Sequence, residues 1–138
     1  MIATAPGSPA RKRILYIEDH KDSRHMLTVL LEYGGYEVVS ANTVAGGLSL
    51  ARLERFDLYI LDSRFKDGTG VDLCRQIRAL YPGSPIIFYS GSAFAYDIEA
   101  GMAAGAQHYL IKPEGLYMIE QTIAGLLVET TQPHVYVH

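Results

Sequence analysis

The sequence predicts an α/β domain in which a parallel sheet lies between two layers of helices. Two observations predict it. Short apolar runs alternate with amphipathic segments of helical length, the β-α-β-α order of a parallel sheet covered on both faces. In addition, four of the runs, 14–17, 58–61, 86–89 and 109–111, end in polar groups: Glu18-Asp19, Asp62, Ser90 and Lys112. If the runs are neighbouring parallel strands, those groups share one rim, the edge where open α/β sheets bind ligands. A length of 138 residues suits one domain with one core, and 49% apolar residues are ample to fill it.

Each element has its own justification. After the first strand, Ser23 to Tyr33 carries Leu27, Leu30 and Leu31 on one helical face, with Asp22 as the expected cap and Gly34-Gly35 as the stop. Tyr36 to Ser40 reads as a second strand. Thr43 to Arg55 keeps helical spacing through Val44, Leu48 and Ala51, although Gly46-Gly47 lower its helix propensity. The run ending at Asp62 leads into a loop, Ser63 to Thr69. A helix over Val71 to Leu80 then presents Leu73, Ile77 and Leu80, closed by Pro82-Gly83. Phe94 to Ala104 has only Ile98 and Met102 as large apolar anchors, which predicts a marginal, mobile helix. The last helix, Glu114 to Val128, buries Leu116, Ile119, Ile123 and Leu126. The expected division is a flexible leader over 1–10, a folded domain over 11–128 and a tail over 129–138. That tail contains Pro133 and Val135-Tyr136-Val137, and disorder is the expectation for it.

Composition narrows the function classes. A net charge of −3 argues against direct nucleic-acid binding, and Arg11-Lys12-Arg13 before a strand reads as solvated flank. No apolar run is long enough to span a bilayer, and the first ten residues lack the apolar stretch of a secretory signal. The single cysteine, Cys74, has no internal disulfide partner and fits a reducing cytoplasm, buried on a helix.

The rim carries the chemistry. Three carboxylates brought together repel one another and resist full ionisation unless a cation joins them. Lys112 alone does not balance Glu18, Asp19 and Asp62. A hard divalent ion such as Mg²⁺ takes oxygen ligands and keeps several waters, which suits carboxylates plus a phosphoryl oxygen. Ser90-Gly91 offers a hydroxyl beside an approachable backbone N–H, and Lys112-Pro113 fixes a sharp exit from its strand through a peptide bond that can be cis. Taken singly, the aspartate can equally cap a turn, the lysine cap the sheet and the serine fill a turn. Their joint order, with a helix between each pair, is the specific signal.

In that order the chain resembles a response-regulator receiver domain, the phosphoacceptor module of two-component signalling, from about Arg13 to Leu127. The likeness rests on Ile17-Glu18-Asp19, on Leu61-Asp62 with Gly70 eight positions later, on Tyr89-Ser90-Gly91, on Ala104-Gly105-Ala106 and on Tyr109-Leu110-Ile111-Lys112-Pro113. It implies a flavodoxin-like, doubly wound five-stranded sheet of order 2-1-3-4-5 with five helices. It also implies that Asp62 accepts a phosphoryl group from a histidine kinase or a histidine phosphotransfer protein. Asp19 then binds Mg²⁺ directly, Glu18 binds it through water, and Arg64 offers it a backbone carbonyl. Lys112 contacts the phosphoryl group, Ser90 is the switch hydroxyl, and Tyr109 is the aromatic that changes rotamer with it. The family usually has Met-Pro three and four residues after the acceptor, where this chain has Phe65-Lys66, and its switch position is more often Thr than Ser.

The Arg64 side chain is expected over the mouth of the site, where with Ser92 it sets the lifetime of the phosphoryl group. Phosphorylation is expected to draw Ser90 inward and let Tyr109 turn into the vacated space. That changes the face of the fourth helix, last strand and last helix, near Tyr96 and Tyr117, for a downstream protein or a second copy of the chain. The chain is expected to act either through protein contacts alone or as a piece of a larger polypeptide. Two other classes compete. One is a receiver-fold interaction module that works without phosphorylation. The other is a small Mg²⁺-dependent phosphatase, which needs a second acid where Arg64 stands.

Overall fold

A computed structural model of the chain describes residues 10–131. The leader expected over 1–10, apart from Ala10, and the tail beyond Thr131, with Pro133 and Val135 to Val137, lie outside the described residues. Five parallel strands, β1 (Arg13–Ile17), β2 (Glu37–Ala41), β3 (Leu58–Leu61), β6 (Ile86–Ser90) and β7 (His108–Ile111), pair in the order β2-β1-β3-β6-β7. This is the doubly wound order expected for the five main strands. Five helices connect and follow them among the described residues: α1 (Lys21–Tyr33), α2 (Val44–Leu53), α3 (Gly70–Leu80), α4 (Ala95–Ala103) and α5 (Leu116–Thr131). The last helix therefore runs three residues beyond the boundary expected at 128. Two short antiparallel strands, β4 (Arg64–Phe65) and β5 (Gly68–Thr69), form a hairpin where the sequence reads as a loop.

Side chains alternate along each strand, and the alternation builds two cores. Leu15, Ile17, Tyr59, Leu61, Ile86 and Phe88 face the layer that contains Leu48, Ala51, Leu73, Cys74, Ile77 and Ala104. Ile14, Tyr16, Leu58, Ile60, Ile87 and Tyr89 face Leu27 and Leu31 of α1 and Ile119, Ile123, Leu126 and Leu127 of α5. Burying one such side chain stabilises by about 1.5–3 kcal/mol. The continuous burial of β1, β3 and β6 follows from helices on both sides.

Several local expectations change in the structure. His20, not Asp22, caps α1: its ring nitrogen accepts from the Ser23 N–H at 3.2 Å. In α3 the buried set is Leu73, Cys74 and Ile77, while Leu80 is exposed because the helix turns it away from the sheet at its last residue. The α4 helix packs through Gly101 rather than Met102. A Cβ at Gly101 would stand 3.0–3.1 Å from the rings of Tyr109 and Phe88, so the helix approaches the sheet through its smallest residue. Gly47 acts similarly in α2, where a Cβ would meet Ile17 at 2.7 Å. Gly47, one of the pair that weakens α2 as a sequence pattern, thus lets the helix lie close on β1, and Thr43 caps it by accepting from the Gly46 N–H at 2.9 Å.

Arg13 is held by Glu37 at 2.8 Å and by Glu54, with its guanidinium 4.8 Å from the Phe56 ring centroid, so it is not part of a free basic patch. Cys74 is fully buried, and its burial pushes the thiol up to about 11. Because the thiolate is the reactive form, the native chain is expected to resist alkylation by iodoacetamide at pH 8 and to react fully in denaturant. Mass spectrometry of both samples checks this; rapid native labelling would contradict it.

Candidate phosphoacceptor site

The register of the sheet assembles the site. Ile17 pairs with Leu61, so Glu18 and Asp62 are each one residue past a matched pair. Ser90 pairs with Ile111, which places Lys112 one residue beyond Ser90. Backbone bonds extend the ladder through the site residues themselves. The Asp62 N–H donates to the Ile17 carbonyl at 3.1 Å, the Glu18 N–H to Ala41 at 3.0 Å, and the Lys112 N–H to Ser90 at 2.8 Å. Glu18, Asp62 and Lys112 also share strand parity with Tyr16, Ile60 and Leu110, residues of the α1/α5 side.

Ligand oxygens of Glu18, Asp19 and Asp62 lie within 4.8 Å of one another. The structure thus brings together the three acids that the sequence placed on one rim. Glu18 is fully buried, Asp62 half-buried and Asp19 exposed. The Lys112 ammonium pairs with Glu18 Oε1 and stands 3.4 Å from Asp62 Oδ2. Glu18 Oε2 accepts from the His20 N–H at 3.1 Å, and the Tyr16 hydroxyl approaches Oε1 at 3.4 Å. Burial, then the bond with Asp62, pushes Glu18 up to about 7 despite the opposing pull of Lys112 and the His20 N–H. Burial alone would pull Lys112 down, but its bond to Glu18 and the charges of Asp62 and Glu18 outweigh that and hold it above its ordinary value. The Lys112-Pro113 peptide is cis.

An all-oxygen donor set, three acids against one ammonium, and a buried carboxylate that resists ionisation all fit a hard divalent cation.

Around this centre, Ser90 is buried and its hydroxyl accepts from the Ser92 N–H at 3.0 Å. Tyr109 stacks on Phe88, with ring centroids 5.3 Å apart, and donates to the Ser92 carbonyl at 2.7 Å. Arg64 is exposed at the start of the hairpin and lines a cleft with Ser63, Thr69 and Asp97.

Three contributors were missed by the sequence reading. Ser63 donates its N–H to Asp62 Oδ1 at 2.7 Å, and its hydroxyl meets that of Tyr109 at 2.9 Å. Asp67 accepts from Val44 and Ala45 at 2.9 and 3.0 Å, fastening the hairpin to the start of α2. Those two bonds hold its carboxyl below the usual range. Phe65 is buried in the core, so the hairpin is anchored at two points. Its Phe-Lys-Asp-Gly stretch is a turn signal, which offered the one available hint. The third is Tyr16, whose place in the core reads as ordinary packing until Glu18 is seen above it.

The chain is thus a doubly wound α/β domain with an acidic cluster and a lysine at the C-terminal rim of its sheet. Residues 14–124 match the family described as the response regulator receiver domain. The chain belongs to that family, the receiver domains of two-component systems. It is similar to the response regulator ArlR of Staphylococcus epidermidis, at 34% identity over 80% of this chain and 49% of that protein. It is also similar to the DNA-binding response regulator MtrA of Mycolicibacterium paratuberculosis, at 32% identity over 75% of this chain and 45% of that protein. The chain thus spans about half the length of the curated relatives it matches. Among solved structures, a CheY-like receiver domain protein of Methanospirillum hungatei superposes with a TM-score of 0.79 at 30% identity, over 85% of this chain and 94% of that one.

Proposed function

We propose that this chain takes a phosphoryl group onto Asp62 from the phosphohistidine of a histidine kinase or histidine phosphotransfer protein. Glu18, Asp19, Asp62 and the Arg64 backbone carbonyl would hold Mg²⁺. The observation that supports this most is the Lys112 ammonium between Glu18 and Asp62 where three carboxylates converge. An Asp62 oxygen forms the new bond to phosphorus as the phosphorus–nitrogen bond to the donor imidazole breaks, and the imidazole leaves with the electron pair. The Ser63 N–H, bonded to Oδ1, fixes the plane of the carboxylate and so aims the attacking oxygen. Lys112 offsets charge on the transferring oxygens, and the Ser90 hydroxyl donates to them after leaving the Ser92 N–H. When bound, Mg²⁺ supplies further neutralisation of those oxygens. Water hydrolyses the resulting mixed anhydride. Arg64, exposed two residues beyond Asp62, would with Ser92 set how fast water arrives.

The receiver would act in the cytoplasm by changing the α4-β7-α5 face for a downstream protein or a second copy of the chain. No helix among the described residues is long and apolar enough to cross a membrane. We assign this domain no direct contact with nucleic acid. It carries net negative charge and Arg13 is paired, while the DNA binding in MtrA's name belongs to a protein of which the match covers 45%.

Intact mass after incubation with acetyl phosphate, with and without Mg²⁺, tests the proposal. The expected result is a transient gain of one phosphoryl group that needs Mg²⁺ and is absent in Asp62→Ala. No gain would favour an interaction module that works without phosphorylation. Sustained turnover of phosphoesters would favour a phosphatase.

A further inference from the structure

Asp67 is an exposed carboxylate outside the cluster of Glu18, Asp19 and Asp62. It lies in the Lys66-Asp67 turn of the β4-β5 hairpin, and its two oxygens accept from the Val44 and Ala45 N–H groups at 2.9 and 3.0 Å. These are the first two N–H groups of α2, which the helix itself leaves without a partner; Thr43 takes the third, from Gly46. A carboxylate there makes charge-assisted bonds with the helix dipole in its favour. The contact is close as well as polar, since a Cβ on Gly68 would stand 3.3 Å from Val44 Cγ2. The hairpin is thus clamped to α2 at its turn and sunk into the core at Phe65.

The register of the hairpin aims one of its carbonyls. The Gly70 N–H donates to the Ser63 carbonyl at 2.8 Å, and Phe65 faces Gly68 across the turn. Bonded pairs alternate along an antiparallel ladder, so the pair between them, Arg64 with Thr69, is the unbonded one, and the Arg64 carbonyl points out of the hairpin. Where that carbonyl stands then depends on where the hairpin is held. We propose that Asp67 is a positioning residue: by clamping the hairpin to the start of α2, it holds the Arg64 carbonyl in place for a cation at Glu18, Asp19 and Asp62. Cation binding and the clamp then tighten each other, because such coupling is reciprocal. This rests on the reading that the three acids and the Arg64 carbonyl share Mg²⁺, and it adds a residue outside that set.

Titration calorimetry of the full chain with Mg²⁺ alone, paired with NMR hydrogen exchange of the α2 amides, tests this. In Asp67→Ala, Mg²⁺ should bind roughly tenfold more weakly, as when a group that orients a ligand is lost. Val44→Pro keeps every charge. Proline suits the first position of a helix, and Thr43 before it is already extended at φ −138° and ψ 161°. The substitution deletes one of the two donors, so Mg²⁺ affinity should fall in the same direction by less. In the unmodified chain Mg²⁺ should slow exchange of the Ala45 amide, whereas in Asp67→Ala that amide should exchange faster and ignore Mg²⁺. Unchanged affinity in Asp67→Ala overturns the clamp, as does an Ala45 amide indifferent to Mg²⁺ in the unmodified chain. A fall in Asp67→Ala that Val44→Pro does not share also overturns it, because lost charge then accounts for the effect. Each of these results leaves the cation reading standing. No Mg²⁺ binding by the unmodified chain sinks that reading and the clamp with it.

Discussion

Replacing Lys112 with alanine is expected to destabilise the chain in a pH-dependent way and to cut phosphoryl uptake. The ammonium is the positive partner found between Glu18 and Asp62, and Glu18 is fully buried. Breaking a buried pair by removing one member costs about 3–5 kcal/mol, because the other charge is left uncompensated. Glu18 can escape that cost by taking a proton, and burial already pushes it up to about 7 with Lys112 in place. The sign follows. A carboxyl with a raised folded value holds more protons folded than unfolded, so its protonation stabilises the fold at low pH, and that contribution is lost as pH rises through the folded value. Without Lys112 the folded value moves higher still, so Lys112→Ala should lose more stability relative to the unmodified chain at pH 8 than at pH 6. Urea titrations at both pH values, in EDTA, measure this. An equal loss at both would contradict the pairing. Phosphoryl uptake should fall by about 10²-fold, the usual cost of removing one preorganised group that stabilises transition-state charge.

Gly70→Ala is expected to damage both fold and site. A Cβ at Gly70 would stand 2.0 Å from the Asp62 carbonyl oxygen and 2.9 Å from Phe88 Cε2, and neither group can swing aside. Gly70 is the first residue of α3, and its N–H donates to the Ser63 carbonyl at 2.8 Å. The helix start must therefore move off the end of β3, taking the Asp62 backbone with it. Overpacking against backbone places the loss at about 3–5 kcal/mol, or a fall in the thermal midpoint of roughly 10–20 °C. Gly83→Ala is the matching control. A Cβ there meets nothing within 4 Å, and its midpoint should stay within a few degrees of the unmodified chain. A Gly70→Ala chain as stable as the Gly83→Ala chain would contradict the close approach that holds Asp62 in place.

The frame of the fold was legible because its signals are local and periodic. The apolar runs of β1, β3, β6 and β7 and the leucine and isoleucine spacing of α1, α3 and α5 appear on the printed chain, as do the acids at the strand ends. Several of the failures share a cause: they depend on partners distant in sequence. Asp67 fastens to α2 across 22 and 23 residues, and Ser63 meets Tyr109 across 46. Gly47 and Gly101 read as helix weakeners, yet they are where helices close on the sheet. The hairpin of β4 and β5 has two-residue strands, too short for a period-2 pattern to show. His20 caps α1 through a ring nitrogen, outside the usual preference for Ser, Thr, Asp or Asn. Where the departure from Met-Pro left the loop after Asp62 open, burial of Phe65 supplies the answer, because the aromatic anchors the hairpin from below.

That Asp62 is the residue carrying phosphate can be tested by reductive trapping. Borohydride reduces an acyl phosphate to an alcohol and so converts the modified aspartate to homoserine. After treatment with acetyl phosphate and Mg²⁺ followed by borohydride, peptide sequencing by mass spectrometry should find homoserine at position 62 alone. Homoserine at Asp19 or Asp67, or none in a chain that has gained phosphoryl mass, would contradict the account.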